Sequence, residues 1–122
     1  MKFDEAIYLS DLIWYDGPVL SLYQQNGKKY LVLWVDVLGE FPDEDHIWYC
    51  IEVDADTLRS FYEKHGSLRE VMECSPAIYE GRNSFMGDDA PDCPLVPWGD
   101  IPEDRKPTPE SFHDESLSRS CA

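Results

Sequence analysis

A chain of 122 residues holds one compact domain and leaves no room for a second. Hydrophobic residues at 43% and aromatics at 13% build a core, which excludes disorder throughout. Twenty-five acidic against ten basic residues leave a formal charge of -15, which repels phosphate backbones and anionic lipid and so argues against direct binding to nucleic acid or a membrane surface.

The first residues, Met1-Lys2-Phe3-Asp4-Glu5, place acids where a secretory signal has a basic start and an apolar run. No apolar stretch reaches the roughly 18 residues of a membrane span. A cytoplasmic location is expected. Ala6 to Tyr15 mixes helical and strand periods and is read as a strand that Asp16-Gly17-Pro18 ends.

A hairpin follows. Val19 to Gln24 and Lys29 to Val37 are β-type runs joined through Gln25-Asn26-Gly27-Lys28, and Asn-Gly suits a type I′ turn because both central positions take positive φ. After an acidic loop from Gly39 to Asp45, which contains Pro42, a third run spans His46 to Val53. Strands consecutive in sequence pair as neighbours, so a meander is expected.

Helical spacing takes over after Val53. Leu58, Phe61, Tyr62 and His65 form one stripe, with Asp54 or Asp56 as cap and Gly66 as the left-handed end. Ser67 and Glu70 form a capping box before Leu68, Val71 and Met72, which marks a second short helix. One-sided helices need a sheet to cover their apolar faces. The expected fold is therefore α+β: an antiparallel three- to four-stranded β-meander with one or two helices on one face, followed by a flexible tail.

The boundary is placed by composition. Six of the nine prolines fall after Gly87, among acids and serines, so residues 1–87 are read as the domain and residues 88–122 as a Pro-rich acidic tail. Pro94-Leu95-Val96-Pro97-Trp98 is the tail's apolar patch, suited to docking back on the domain. Residues 1–87 hold 16 acids and 7 bases, a net of -9, so acidity is not merely a property of the tail.

Alternation sorts the sheet into two faces. Leu20, Leu22, Leu31, Leu33, Val35 and Val37 form an aliphatic bed for the helices. Val19, Ser21, Tyr23, Tyr30, Val32, Trp34 and Asp36 fall on the other face, and Trp48 alternates through the third run. That aromatic face has two uses. It can be a second small core beneath the first strand, the 76–87 segment or the tail, because large exposed apolar patches are rare on monomers. It can also be an interface, since Tyr and Trp are common anchors, and a homodimer would cover it too.

No motif for catalysis, metal or cofactor appears. His46, His65, His113 and Cys50, Cys74, Cys93 and Cys121 show no ligand spacing, so no metal is expected and the thiols are read as free. Asp43-Glu44-Asp45-His46 lacks the glycine and alternating oxygens of a calcium loop. Phosphate-binding glycine motifs and a nucleophile elbow are absent, so no cofactor and no enzyme is expected.

The charge favours a basic protein partner, such as a nucleic-acid-binding complex whose groove takes carboxylates where phosphates would sit. Immunity proteins and phage counter-defence (anti-CRISPR-like) inhibitors work on that plan. The candidate partner-binding residues are Asp36, Glu40, Asp43, Glu44 and Asp45 with Tyr23, Tyr30, Trp34 and Trp48. The alternatives are a small-ligand or regulatory module, and acidity that serves solubility alone.

Tyr15-Asp16-Gly17-Pro18-Val19-Leu20-Ser21, then Tyr30-Leu31-Val32-Leu33-Trp34-Val35-Asp36 and later Trp48, resembles an uncharacterised family of small bacterial and phage proteins that share a Y-D-G-P-x-L start, a Y-L-x-L-W-x-D strand and a following Trp. The likeness covers roughly residues 12 to 73. It implies one compact domain and carries no catalytic residue.

Overall fold

The computed structural model describes residues 1–14, 18–63 and 65–107, and within these the side chains at 13, 14, 18 and 19 lie outside the description. The expected Asp16-Gly17 turn and residues 108–122, with His113 and Cys121, also lie outside the described residues. Strands β1 (Ile7–Trp14), β2 (Pro18–Gln25), β3 (Lys28–Leu38), β4 (Asp45–Val53) and β5 (Ile78–Arg82) form one antiparallel sheet in sequence order. Helices α1 (Ala55–Tyr62) and α2 (Leu68–Cys74) connect β4 to β5.

Local chemistry accounts for most element ends. Asn26 and Gly27 take φ of 53° and 77°, the positive values a tight hairpin needs, and Gln25 pairs with Lys28 across the turn. The Asp54 carboxylate accepts the Thr57 amide at 2.7 Å and caps α1. Ser67 and Glu70 complete the capping box of α2. Leu58, Phe61, Leu68, Val71 and Met72 then pack on Leu20, Leu22, Leu31, Tyr49 and Ile51 to make the main core.

Four expectations need correction. The sheet has five strands rather than three or four. Residues 78–82 carry a glycine and two charges in five positions, so their strand character comes from pairing with β4 rather than from local propensity. Gly81 also has a packing reason, since a Cβ there would lie 2.6 Å from the Phe85 ring that folds over it.

The end of α1 differs as well. The amides of His65 and Gly66 both turn back to the Ser60 carbonyl, so the chain leaves the helix at Glu63. His65 is exposed beside Glu63 rather than part of the buried stripe. The left-handed glycines are Gly27, Gly39 and Gly87, not Gly66.

The third correction is a β-bulge. Trp34 pairs with Trp48 but Asp36 pairs with Ile47, so Val35 is an extra residue and every later side chain of β3 changes face. Asp36 thereby joins the helix-covered face with Ile47, and Val37 joins the aromatic face opposite His46.

The fourth concerns the compositional break at Gly87, which does not end the packed chain. Pro94 and Val96 bond to β5 through the Glu80 amide (2.9 Å) and the Ile78 carbonyl (2.8 Å), so residues 94–96 cover the outer edge of the sheet. Ile101 enters the main core, 3% exposed. Arg105 pairs with Asp36 at 3.1 Å and Glu80 at 3.6 Å, and Trp98 sits between the cations of Arg69 and Lys106. Prolines keep this strap extended without demanding backbone partners, which is why its composition resembles a tail.

A second core covers the opposite face. Phe3 is fully buried, edge-on to Tyr30 at 5.2 Å and to Phe85 at 6.0 Å, with Val32, Cys50 and Cys93 around it. The Phe3 carbonyl accepts the Gly87 amide, and the Met1 carbonyl accepts the Cys93 amide. No helix among the described residues is long and apolar enough to cross a membrane.

Candidate interaction surface

The nine candidate residues separate into four environments. Tyr30 is 2% exposed and belongs to the second core, so it is not available to a partner. Asp36 is turned to the helix-covered face by the bulge and holds Arg105 while its other oxygen accepts the Val37 amide. Tyr23, Trp34 and Trp48 remain half-buried on the aromatic face. Glu40, Asp43, Glu44 and Asp45 stay together in the β3–β4 loop.

Within that loop Gly39 takes a φ of 82° and the Asp43 amide donates to the Glu40 carbonyl at 2.8 Å. Its tip carries Phe41, 85% exposed, beside the exposed Leu38. Sequence reasoning passed over Phe41 because an aromatic residue in an acidic loop has no periodicity to flag it. The usable signal was an aromatic with no strand or helix to bury it, next to a proline.

Asp45 ties the loop to the aromatic face. Its carboxylate accepts from the Asn83 side-chain amide at 2.9 Å, and Asn83 in turn accepts the His46 amide. One residue pair further in, Trp34 donates through Nε1 to His46 Nδ1 at 3.0 Å. Beyond lies a cleft of 290 Å³ lined by Tyr23, Trp48, Phe85 and Met86 with the exposed Asn83 and Ser84. On the same face of β2 as Tyr23, the Ser21 hydroxyl donates to the Asp11 carboxylate at 2.8 Å.

Electrostatics on this face do not favour nucleophilic chemistry. Burial, with a smaller effect from Cys93, pushes the Cys50 thiol well above its ordinary value, the direction opposite to an activated thiolate. Cys93 is raised by burial as well. Burial and then the Asp11 charge raise the Tyr23 phenol. Among the described residues no group of three or more His, Cys, Asp or Glu side chains is arranged to hold a metal ion.

Exposed apolar residues also lie on β1, where Ile7 and Leu9 sit on the open edge of the sheet. Three register shifts along β1 bend it away from a flat, extendable edge, a common protection against strand addition. The other edge is closed by residues 94–96.

No family model, no curated protein and no solved structure matches the chain.

Proposed function

We propose that the protein is a small acidic binding module that captures a basic protein through its β3–β4 loop. The observation that carries this reading is Phe41, 85% exposed on the β3–β4 loop and flanked in sequence by Glu40, Asp43, Glu44 and Asp45. A large exposed ring is unfavourable in water and is held there by local backbone bonds, while the acids around it supply steering toward positive charge. Aromatic anchors ringed by charges are the usual centre and rim of a protein interface.

Within that reading, the partner class is a nucleic-acid-binding complex, and the module inhibits it by occupying a phosphate groove with carboxylates. Support comes from the total charge of -15 and from the loop's placement at one end of the sheet, where it projects without disturbing either core. Phage counter-defence and immunity functions belong to this class.

The test is affinity capture from host lysate at low and high salt, with Phe41→Ala and a triple Glu40→Lys, Asp43→Lys, Glu44→Lys variant as controls. A basic nucleic-acid-binding protein retained by the wild type, released by salt and lost by both variants is the expected result. Identical capture by all three proteins removes the loop from function. The 290 Å³ cleft supports a second reading, a small-ligand or regulatory module, at the low end of the volumes such sites occupy. Thermal stabilisation by a metabolite panel, unaffected by loop charge reversal, would select it.

A further inference from the structure

We infer that the cleft between Tyr23, Trp48 and Phe85 receives an arginine side chain of the same basic partner, an inference that rests on the loop-binding reading above. Three features of the site carry it. First, the lining is aromatic, and the faces of Tyr and Trp rings attract a cation, most of all a flat and weakly hydrated guanidinium that can stack on them.

Second, two carboxylates neighbour residues of the cleft's lining. Asp45 is bonded to Asn83, which lines the cleft, and Asp11 is held by Ser21, the same-face neighbour of the lining residue Tyr23 on β2. Ser21 and Tyr23 share a face of β2, so the Asp11 charge lies one pair along from the Tyr23 ring. Among the described residues neither carboxylate is in an ion pair with a lysine or arginine. The partly buried strand acids Asp36, Glu52 and Glu80 already have Arg105, Lys28 and Arg82 as partners. Asp11 and Asp45 are left for a cation from outside.

Third, the cleft is continuous with the loop. Asn83 both lines it and binds Asp45, the residue at which the acidic loop becomes β4. A basic segment laid along Asp43 to Asp45 therefore reaches the cleft with its next side chains. At 290 Å³ the space suits one long side chain better than a nucleotide-sized cofactor. A second copy of this chain is a poor occupant, because it would bring another -15 of charge.

The experiment titrates the full chain with hexa-arginine and hexa-lysine peptides of equal charge, following tryptophan fluorescence and heat of binding. Hexa-arginine is expected to bind about fivefold tighter, the size of a partly exposed cation–π contact. Ser84→Lys, at an exposed position lining the cleft, is expected to abolish that preference by placing a competing cation there. Glu40→Lys with Asp43→Lys and Glu44→Lys is expected to weaken both peptides equally and to preserve the ratio. Equal affinities in the wild type, no binding of either peptide, or a preference that survives Ser84→Lys would each overturn the inference. A preserved arginine preference with no loop effect would instead overturn the loop reading and leave the cleft standing.

Discussion

The two faces of the sheet are covered by different means. On one, α1 and α2 bring Leu58, Phe61, Leu68, Val71 and Met72 down in a regular stripe whose ends are capped by Asp54 and Ser67. On the other there is no helix among the described residues, and Phe3, Phe85 and Cys93 arrive from irregular segments far apart in sequence to bury Tyr30 and Cys50. Irregular cover leaves gaps, and the cleft beside Trp48 is such a gap, where we propose that a partner side chain enters.

The largest test of this contrast compares one anchor from each face. Phe61→Ala and Phe3→Ala should each cost about 3–5 kcal/mol in urea unfolding, because both rings are fully buried. A cost below about 1 kcal/mol for Phe3→Ala would mean that the irregular side is a lid rather than a second core.

The strap is the next largest. Arg105 is 17% exposed between Asp36 and Glu80, and contact with the Tyr49 hydroxyl and then Asp36 raises its basicity further. Arg105→Met should cost about 1–2 kcal/mol, with Asp36→Asn costing less in an Arg105→Met background than alone. Additive effects would show that the two residues do not act together.

A smaller effect separates the faces by pH. Burial, followed by the charges of Glu52, Tyr79 and Cys50, raises the Tyr30 phenol above its ordinary 10.0. The fold holds the protonated phenol, so that contribution is complete below the unfolded value and is lost as pH rises through the higher folded one. Tyr30→Phe should therefore flatten the alkaline loss of stability, followed by circular dichroism above pH 10. An unchanged alkaline profile would place the loss on other groups.

The smallest effect on stability is expected at Phe41, the residue proposed as the binding anchor. Phe41→Ala should change unfolding free energy by less than about 0.5 kcal/mol, since the ring is exposed. A larger loss would mean that Phe41 stabilises the loop rather than waiting for a partner.

The hairpin, both helix caps and the aliphatic stripe were readable because each depends on residues within one or two turns of one another: Asn26 with Gly27, Asp54 with Thr57, Ser67 with Glu70. The candidate site was readable only in part. The four loop acids stay together, but Asp36 has changed face because the bulge at Val35 inverts the alternation beyond it, and Tyr30, which precedes the bulge, is buried because Phe3 and its neighbours cover it.

By itself the amino-acid sequence determined the α+β class, the Asn26-Gly27 turn, the starts of both helices, the acidic loop and the charge, all of which follow from composition and short-range hydrogen bonding. Tertiary structure alone decided the fifth strand, where residues 94–107 pack on the domain, the exposure of Phe41 and the cleft beside Trp48. Each of these joins residues far apart in the chain, and such contacts are selected by how well the assembled surfaces fit rather than by any local preference.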